Sequence, residues 1–337
     1  MKYTPKLNLI DTEKGIKLIK EHFEHKLAEK LNLLRVSSPK FLEAGNGLQD
    51  DLAGTQNPVS FKVKHINNQI EMVHSLAKWK RKALAQYGFI QGTGLYTDMD
   101  AIRKDEIVDE IHSNYVDQWD WEKVIRKEDR NIGYLKDVVQ RIYDAIRETE
   151  EILCTEFPVF ERRLPKEIVF IHAYDLEVKY PDLSPKQREL KVAEEYGAFF
   201  LIGIGGKLNS GEVHDIRAAD YDDWITETSL GKRGLNGDII VFDQTRCSHL
   251  ELTSMGIRVD KDSLIMQLSE MGLQSRLDLE FHQEIIMNKL PITIGGGIGQ
   301  SRLCMLLLQK FHIGEVQVSI WPEDMCRKYK ERGVIFL

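Results

Sequence analysis

Residues 291–310, PITIGGGIGQSRLCMLLLQK, set the tightest limit on the possible folds. Gly295, Gly296, Gly297, Gly299 and Ser301 lead directly to Arg302, which opens a strongly apolar helix. Glycine permits close backbone approach, and a helix start presents free N–H groups that favour an anion. A phosphate-bearing ligand is one reading. A glycine turn that packs a helix on a strand, with Arg302 solvated, is the other. The two common phosphate loops are excluded: no glycine is followed by Lys-Ser or Lys-Thr at P-loop spacing, and Gln300 stands where the third glycine of a G-x-G-x-x-G fingerprint would fall.

The 337 residues could hold one large or two ordinary domains, and no repeat, low-complexity tract or Pro/Gly/Ser linker divides them, so a single domain over 1–337 is expected. A net charge of −7 opposes nucleic acid as the main partner. The longest apolar runs, CMLLL and FFLIGIGG, are far too short for a membrane span, and MKYTPKLNLIDTEKG has no signal-peptide core. A cytoplasmic protein with no membrane partner is expected. Cys154, Cys247, Cys304 and Cys326 form no C-x-x-C pair, which fits reduced thiols and indicates neither a disulfide framework nor zinc.

Ile16, Ile19, Phe23, Leu27, Leu31 and Leu34 recur at helical spacing, with Asp11 or Thr12 as candidate N-cap; this amphipathic helix should lie on a core or on a partner subunit. His22 and His25 within it lack a third ligand nearby in sequence and read as a solvated face. LLRVSSP reads as a short strand stopped by Pro39. Further strands are expected at FKVKHI, QIEMVHS, GLYTDMDAI, EIVFIHA, AFFLIGI, GDIIVFD, LELTSMGIRV and PITIGGG, with helices near 75–87, 135–153, 185–196, 261–271, 276–289 and 301–310. Strands often follow one another directly, which predicts an α+β fold with a mostly antiparallel sheet flanked by helices.

Several polar clusters sit in or beside apolar strands. YVDQWDW puts Gln118 and Asp120 on one strand face, and LELTSMGIR puts Glu251 and Thr253 on one face, with Ser254 and Arg258 further along. Asp238 precedes a buried-looking strand. Asp238 and Glu251 could hold Mg2+ on neighbouring strands, or could belong to an ordinary cross-strand salt bridge.

In this order the motifs resemble the catalytic domain of class II aminoacyl-tRNA synthetases. LLRVSSP resembles the first class motif at a dimer interface, AIRKDE the second (Arg103, Glu106), and GGGIGQSR the third (Arg302). HSLAKWK, DQWD and ELTSMGIRV match the aspartyl subgroup. No anticodon domain precedes the first motif, and GNGLQDDLAG, VHSLAKWKR, LIGIGGKLN, DYDDW and GLNGDI extend a resemblance to the ammonia-dependent asparagine synthetase (aspartate–ammonia ligase) family along essentially the whole chain. The glutamine-dependent class, which needs a cysteine behind Met1, is disfavoured by Lys2.

The resemblance implies a homodimer, with L-aspartate, ATP and ammonia as substrates, Mg2+ as cofactor, and a β-aspartyl-adenylate intermediate. It implies that Arg103 contacts the α-phosphate and that Arg302 lies against adenine, with Glu106, Gly297, Gly299, Asp238 and Glu251 on the ATP side and Asp238 and Glu251 as metal ligands. Ser75, Lys80, Gln118, Asp120, Ser254 and Arg258 would bind aspartate. Asp50 and Asp222 are candidates, one of which would orient or deprotonate ammonium, and a solvated loop carboxylate remains the alternative for both. A synthetase-like enzyme that adenylates an amino acid for another acceptor and a non-catalytic sensor of ATP or an amino acid are the competing classes.

Overall fold

The structure, a computed structural model, describes residues 3–50, 52, 56–229 and 231–337. Lys2, on which the case against glutamine use rests, lies outside the described residues. The elements run α1 (Leu9–Leu31), β1 (Leu33–Arg35), β2 (Phe41–Glu43), β3 (Ser60–Phe61), β4 (Ile70–Met72), α2 (Ala77–Gln86), β5 (Gly94–Ile102), β6 (Tyr115–Val124), α3 (Ile132–Glu156) and β7 (Val169–His172). They continue with α4 (Ala173–Lys179), α5 (Pro185–Tyr196), β8 (Ala198–Ile202), β9 (Asn236–Asp243), β10 (Ser248–Ile257), α6 (Lys261–Glu270), α7 (Glu280–Ile286), β11 (Thr293–Gly299), α8 (Gln300–Leu307) and α9 (Glu323–Glu331).

Among the described residues, eight strands form one sheet in the order β1-β5-β6-β11-β10-β9-β8-β7, and β2-β4-β3 form a small antiparallel one. The expectation of a mostly antiparallel sheet needs correction, because the large sheet is mixed. Its interior pairings are antiparallel, but β1 with β5 and β7 with β8 at the two edges are parallel. Both edge strands are short and are reached through crossovers, so their direction is set by long-range chain routing rather than by hairpin turns.

Alternation along β6 divides the molecule into two faces. Trp119 and Trp121 point into the main core with Ile294, Ile298, Leu250 and Ile257, under α1, α3 and α8. Gln118, Asp120 and Glu122 point to the other face. The apolar stripe of α1 (Ile16, Ile19, Phe23, Leu27, Leu31) is consumed by this core, mainly against α3. Leu34 is not part of the stripe; it lies in β1 and is 61% exposed. The cap is Asn8, whose side chain accepts from Asp11 N, so both expected caps lie inside the helix.

Other boundaries differ for local reasons. FKVKHI contributes to a strand only at Phe61, where β3 ends. The expected 276–289 helix is interrupted at Leu279, whose extended backbone (φ −73°, ψ 148°) separates a short 3-10 turn from α7. The helices α4 and α9 and the strand β2 were not anticipated. His22 is half-buried, with Nδ1 3.0 Å from Thr149 Oγ1 between α1 and α3, and His25 is exposed, so the expected solvated face holds for His25 and only in part for His22.

Candidate active site

The register of the sheet builds the site in rows. Thr97, Asp120, Gly297, Ser254, Asp238 and Leu201 pair successively across β5, β6, β11, β10, β9 and β8. The adjoining row on the same face runs through Leu95, Glu122, Gly295, Gly256 and Asn236. Gly295 and Gly297 of β11 each face a polar side chain of β6 that must lie across them. A Cβ on Gly295 would stand 1.9 Å from Glu122 Oε2, and one on Gly297 would stand 2.3 Å from Gln118 Oε1. The glycines therefore make room first for the chain's own polar groups. Gly299 leaves room for Arg302, whose Cβ would be 3.3 Å from an added Cβ.

A bulge in β10 corrects one expectation. Glu251 pairs with Ile240 but Thr253 pairs with Ile239, so the extra residue inverts the alternation and puts Glu251 and Ser254, not Glu251 and Thr253, on the site face. Thr253 is turned away and its hydroxyl accepts from Ile239 N at 3.1 Å.

These rows floor a cavity of about 450 Å³. It brings together Asp50, Ser75, Lys80, Arg103, Glu106, Gln118, Asp120, Asp222, Glu251, Ser254, Arg258, Gly297, Gly299 and Arg302. Asp238 does not line it; that carboxylate lies behind Arg217, with which it forms an ion pair.

Along the strands the groups sort into two ends. At one end Arg103, just past β5, and Arg302, in the first turn of α8, present guanidinium groups. Arg103 is only 3.9 Å from Glu106 Oε2 and its buried Nε has no partner, while Arg302 Nη1 donates to the Glu251 carbonyl at 3.1 Å. At the other end Lys80, fully buried on α2, pairs with Asp120 and donates to the Gly296 carbonyl at 3.1 Å. Burial pushes the Lys80 pKa down against the opposing pull of Asp120. Arg258 donates through Nε to Glu122 Oε1 at 3.0 Å, through Nη2 to Glu122 Oε2 at 2.8 Å, and through Nη1 to Asp222. Burial raises the Glu122 carboxyl, but Arg258 outweighs it and holds the group below its ordinary value; Asp222 is raised by burial, which Arg258 only partly offsets. Asp50 is buried, and its Oδ1 accepts from Leu52 N at 2.9 Å.

Burial, reinforced by the charges of Glu251 and Asp215, raises Asp238 well above the usual carboxylate range despite the Arg217 ion pair. Asp238 Oδ1 is buried without a hydrogen-bond partner. A second cation beside that oxygen would relieve both costs. No group of three or more metal-ligating side chains occurs among the described residues. Mg2+ held by one or two carboxylates and completed by phosphate oxygens needs no such group; Glu251, which lines the cavity, fits it, and Asp238 fits it only with Arg217 drawn aside from its carboxylate.

The sequence reading missed Glu122 and Arg217. Glu122 carried a usable signal, since it continues the alternation of Gln118 and Asp120. Arg217 carried none, because its partner Asp238 is brought to it only by the fold.

A family model described as aspartate-ammonia ligase matches residues 10–333. The chain belongs to the aspartate–ammonia ligase family. It is 52% identical to an aspartate–ammonia ligase of Clostridium perfringens, covering 99% of this chain and 97% of that one, and 54% identical to one of Fusobacterium nucleatum, covering 97% and 98%. Solved structures show the fold. The asparaginyl-tRNA synthetase of Entamoeba histolytica in complex with asparaginyl-adenylate superimposes with a TM-score of 0.66 at 12% identity, over 92% of this chain and 66% of that one. That of Pyrococcus horikoshii, also with asparaginyl-adenylate, gives 0.65 at 15% identity over 93% and 70%. This ligase family member thus has the class II aminoacyl-tRNA synthetase-like fold.

Proposed function

We propose that this chain makes L-asparagine from L-aspartate, ammonia and ATP, by transfer of AMP to the β-carboxylate followed by displacement of AMP by ammonia. The observation that carries this reading is the division of one cavity into an end with two guanidinium groups, Arg103 and Arg302, and an end built of buried ion pairs around Lys80 and Arg258. A free carboxylate resists ammonia because its charge repels the nucleophile and oxide is a poor leaving group. Adenylylation removes both obstacles. Negative charge accumulates on the α-phosphate oxygens, where Arg103 stabilises it, and Arg302 holds the nucleotide from the side of α8. Glu106, Gly297 and Gly299 complete the nucleotide wall.

The amino acid would occupy the opposite end, held by Ser75, Lys80, Gln118, Asp120, Ser254 and Arg258. The fixed pairs of Lys80 with Asp120 and of Arg258 with Glu122 and Asp222 keep these groups in place before substrate arrives, and Arg258 retains N–H donors for a carboxylate. Asp50 and Asp222 are the carboxylates proposed to orient ammonium and take its proton, since only ammonia has the lone pair that attacks. Asp238 and Glu251 would hold Mg2+, which when bound neutralises charge on the phosphates. The working unit proposed is a homodimer of single catalytic domains spanning 1–337.

Aspartate carrying heavy oxygen only in the β-carboxylate tests the chemistry. Incubated with ATP, Mg2+ and ammonium, it should leave one label in AMP and none in pyrophosphate, because the oxygen that attacks the α-phosphorus remains there. Label in inorganic phosphate beside ADP would mean an acyl phosphate, and unlabelled AMP would mean that the β-carboxylate is not the nucleophile.

A further inference from the structure

We infer that Asp117 is a positioning residue for Arg302, acting by capping helix α8 from a neighbouring strand; this rests on the nucleotide role proposed for Arg302. The helix begins at Gln300 after Gly299, which has no side chain to cap it. A side chain at 299 would press on Arg302, since an added Cβ lies 3.3 Å from the Arg302 Cβ, with Cδ and Cγ in ordinary contact at 3.5 and 3.6 Å. The cap therefore comes from elsewhere.

Asp117 is the residue of β6 just before Gln118, which pairs with Gly299 where β11 ends. Its Oδ1 accepts from Ser301 N at 3.0 Å and its Oδ2 from the Ser301 hydroxyl at 2.9 Å. The orphan N–H that a helix start must satisfy is thus met by a carboxylate whose charge also complements the helix dipole. Lys20 of α1 lies 3.3 Å from Oδ2, and Gln317 Nε2 donates to the Ser301 hydroxyl at 3.1 Å. On the preceding residue, Gln300 Nε2 donates to Asp98 Oδ1 at 2.9 Å. Arg302 is the next residue along, and its far end is tied to the Glu251 carbonyl. With Ser301 fixed at the base and Glu251 at the tip, the guanidinium has little freedom left.

A double-mutant cycle tests this in the full-length enzyme. Asp117→Ala, Asp117→Asn, Arg302→Ala and the Asp117→Ala/Arg302→Ala pair are compared by aspartate-dependent exchange of pyrophosphate into ATP, with KM for each substrate and a thermal melt. Asp117→Ala should raise KM for ATP about tenfold while leaving KM for aspartate within about twofold, and should add almost nothing once Arg302 is gone. Asp117→Asn, which keeps an acceptor for Ser301 N–H, should recover part of the loss. If Asp117→Ala does not fold, the cycle is run with Asp117→Asn, and the smaller rise must still depend on Arg302. A full additional loss in the Arg302→Ala background, or parallel rises in both KM values with a lowered melting temperature, overturns the positioning role alone. An Arg302→Ala enzyme with ordinary ATP kinetics overturns the proposed nucleotide role of Arg302, and this inference with it.

Discussion

At the scale of single residues, Gly295 is the glycine whose replacement bears most directly on the proposed aspartate end of the cavity. An added methyl would overlap Glu122 Oε2 and stand 2.7 Å from Arg258 Nη2, so it must part a buried ion pair at the end of the cavity assigned to aspartate. Removing one partner of a buried pair costs about 3–5 kcal/mol, which bounds from above the cost of pushing the two apart. Gly295→Ala is therefore expected to lower the melting temperature and to weaken aspartate binding more than ATP binding. Titration calorimetry with each substrate and a thermal melt read these directly, and unchanged aspartate affinity would contradict the assignment. The candidate residues that were legible in sequence lay in short, ordered motifs whose spacing survives folding. The ones that were not are those whose meaning lies in a distant partner: Arg217 with Asp238, and Asp117 with Ser301. Thr253 was misplaced because a bulge leaves no mark in a pattern read at period two.

At the scale of elements, long periodic helices were legible and short connections were not. The stripe of α1 identified it, but α9 is strongly polar and buries only Tyr329, so no stripe of comparable length announces it. That C-terminal region packs around His312. The imidazole lies 4.8 Å from the Trp321 ring, 4.7 Å from Tyr329 and 4.8 Å from Phe336, and its Nδ1 accepts from Gly314 N at 3.0 Å. Burial pushes its pKa down to about 4, against the nearby charges of Glu110 and Asp109. Protonation would abolish the acceptor and charge an apolar pocket. Because the folded value lies below the unfolded one, the stabilisation is complete above the ordinary histidine pKa near 6.5 and is lost as pH falls from there towards 4. Urea melts from about pH 7.5 to about pH 4.5 should show a steeper decline for the native protein than for His312→Asn, which keeps an acceptor and does not titrate. Parallel declines would refute the role.

At the scale of the whole molecule, the sheet's edge bears on assembly. Since the apolar stripe of α1 is spent on its own core, the proposed homodimer must use other surface. The β1 edge offers Leu34, 61% exposed, and Ile102 at the end of the adjoining strand is 38% exposed. Sedimentation at assay concentration should give a dimer, and Leu34→Asp should shift it towards monomer; a fully active native monomer would remove this proposal. The α+β character of the molecule was legible from the succession of strands, whereas the parallel edges were not, because the direction of β1 and β7 is set by the crossovers that join them to their neighbours and not by the strands' own residues.

The last strand in chain order, β11, lies in the middle of the sheet between β6 and β10. During synthesis, the β5–β6 hairpin and the β9–β10 hairpin can each form while their facing edges wait for a strand the ribosome has not yet released. A nascent chain halted before residue 293 would carry two unpaired inner edges, the kind of surface that recruits chaperones or strands of other molecules. Closing that gap also brings Gly295, Gly297 and Arg302 into place, so the chain acquires its binding cavity and loses its stickiest surfaces in one event.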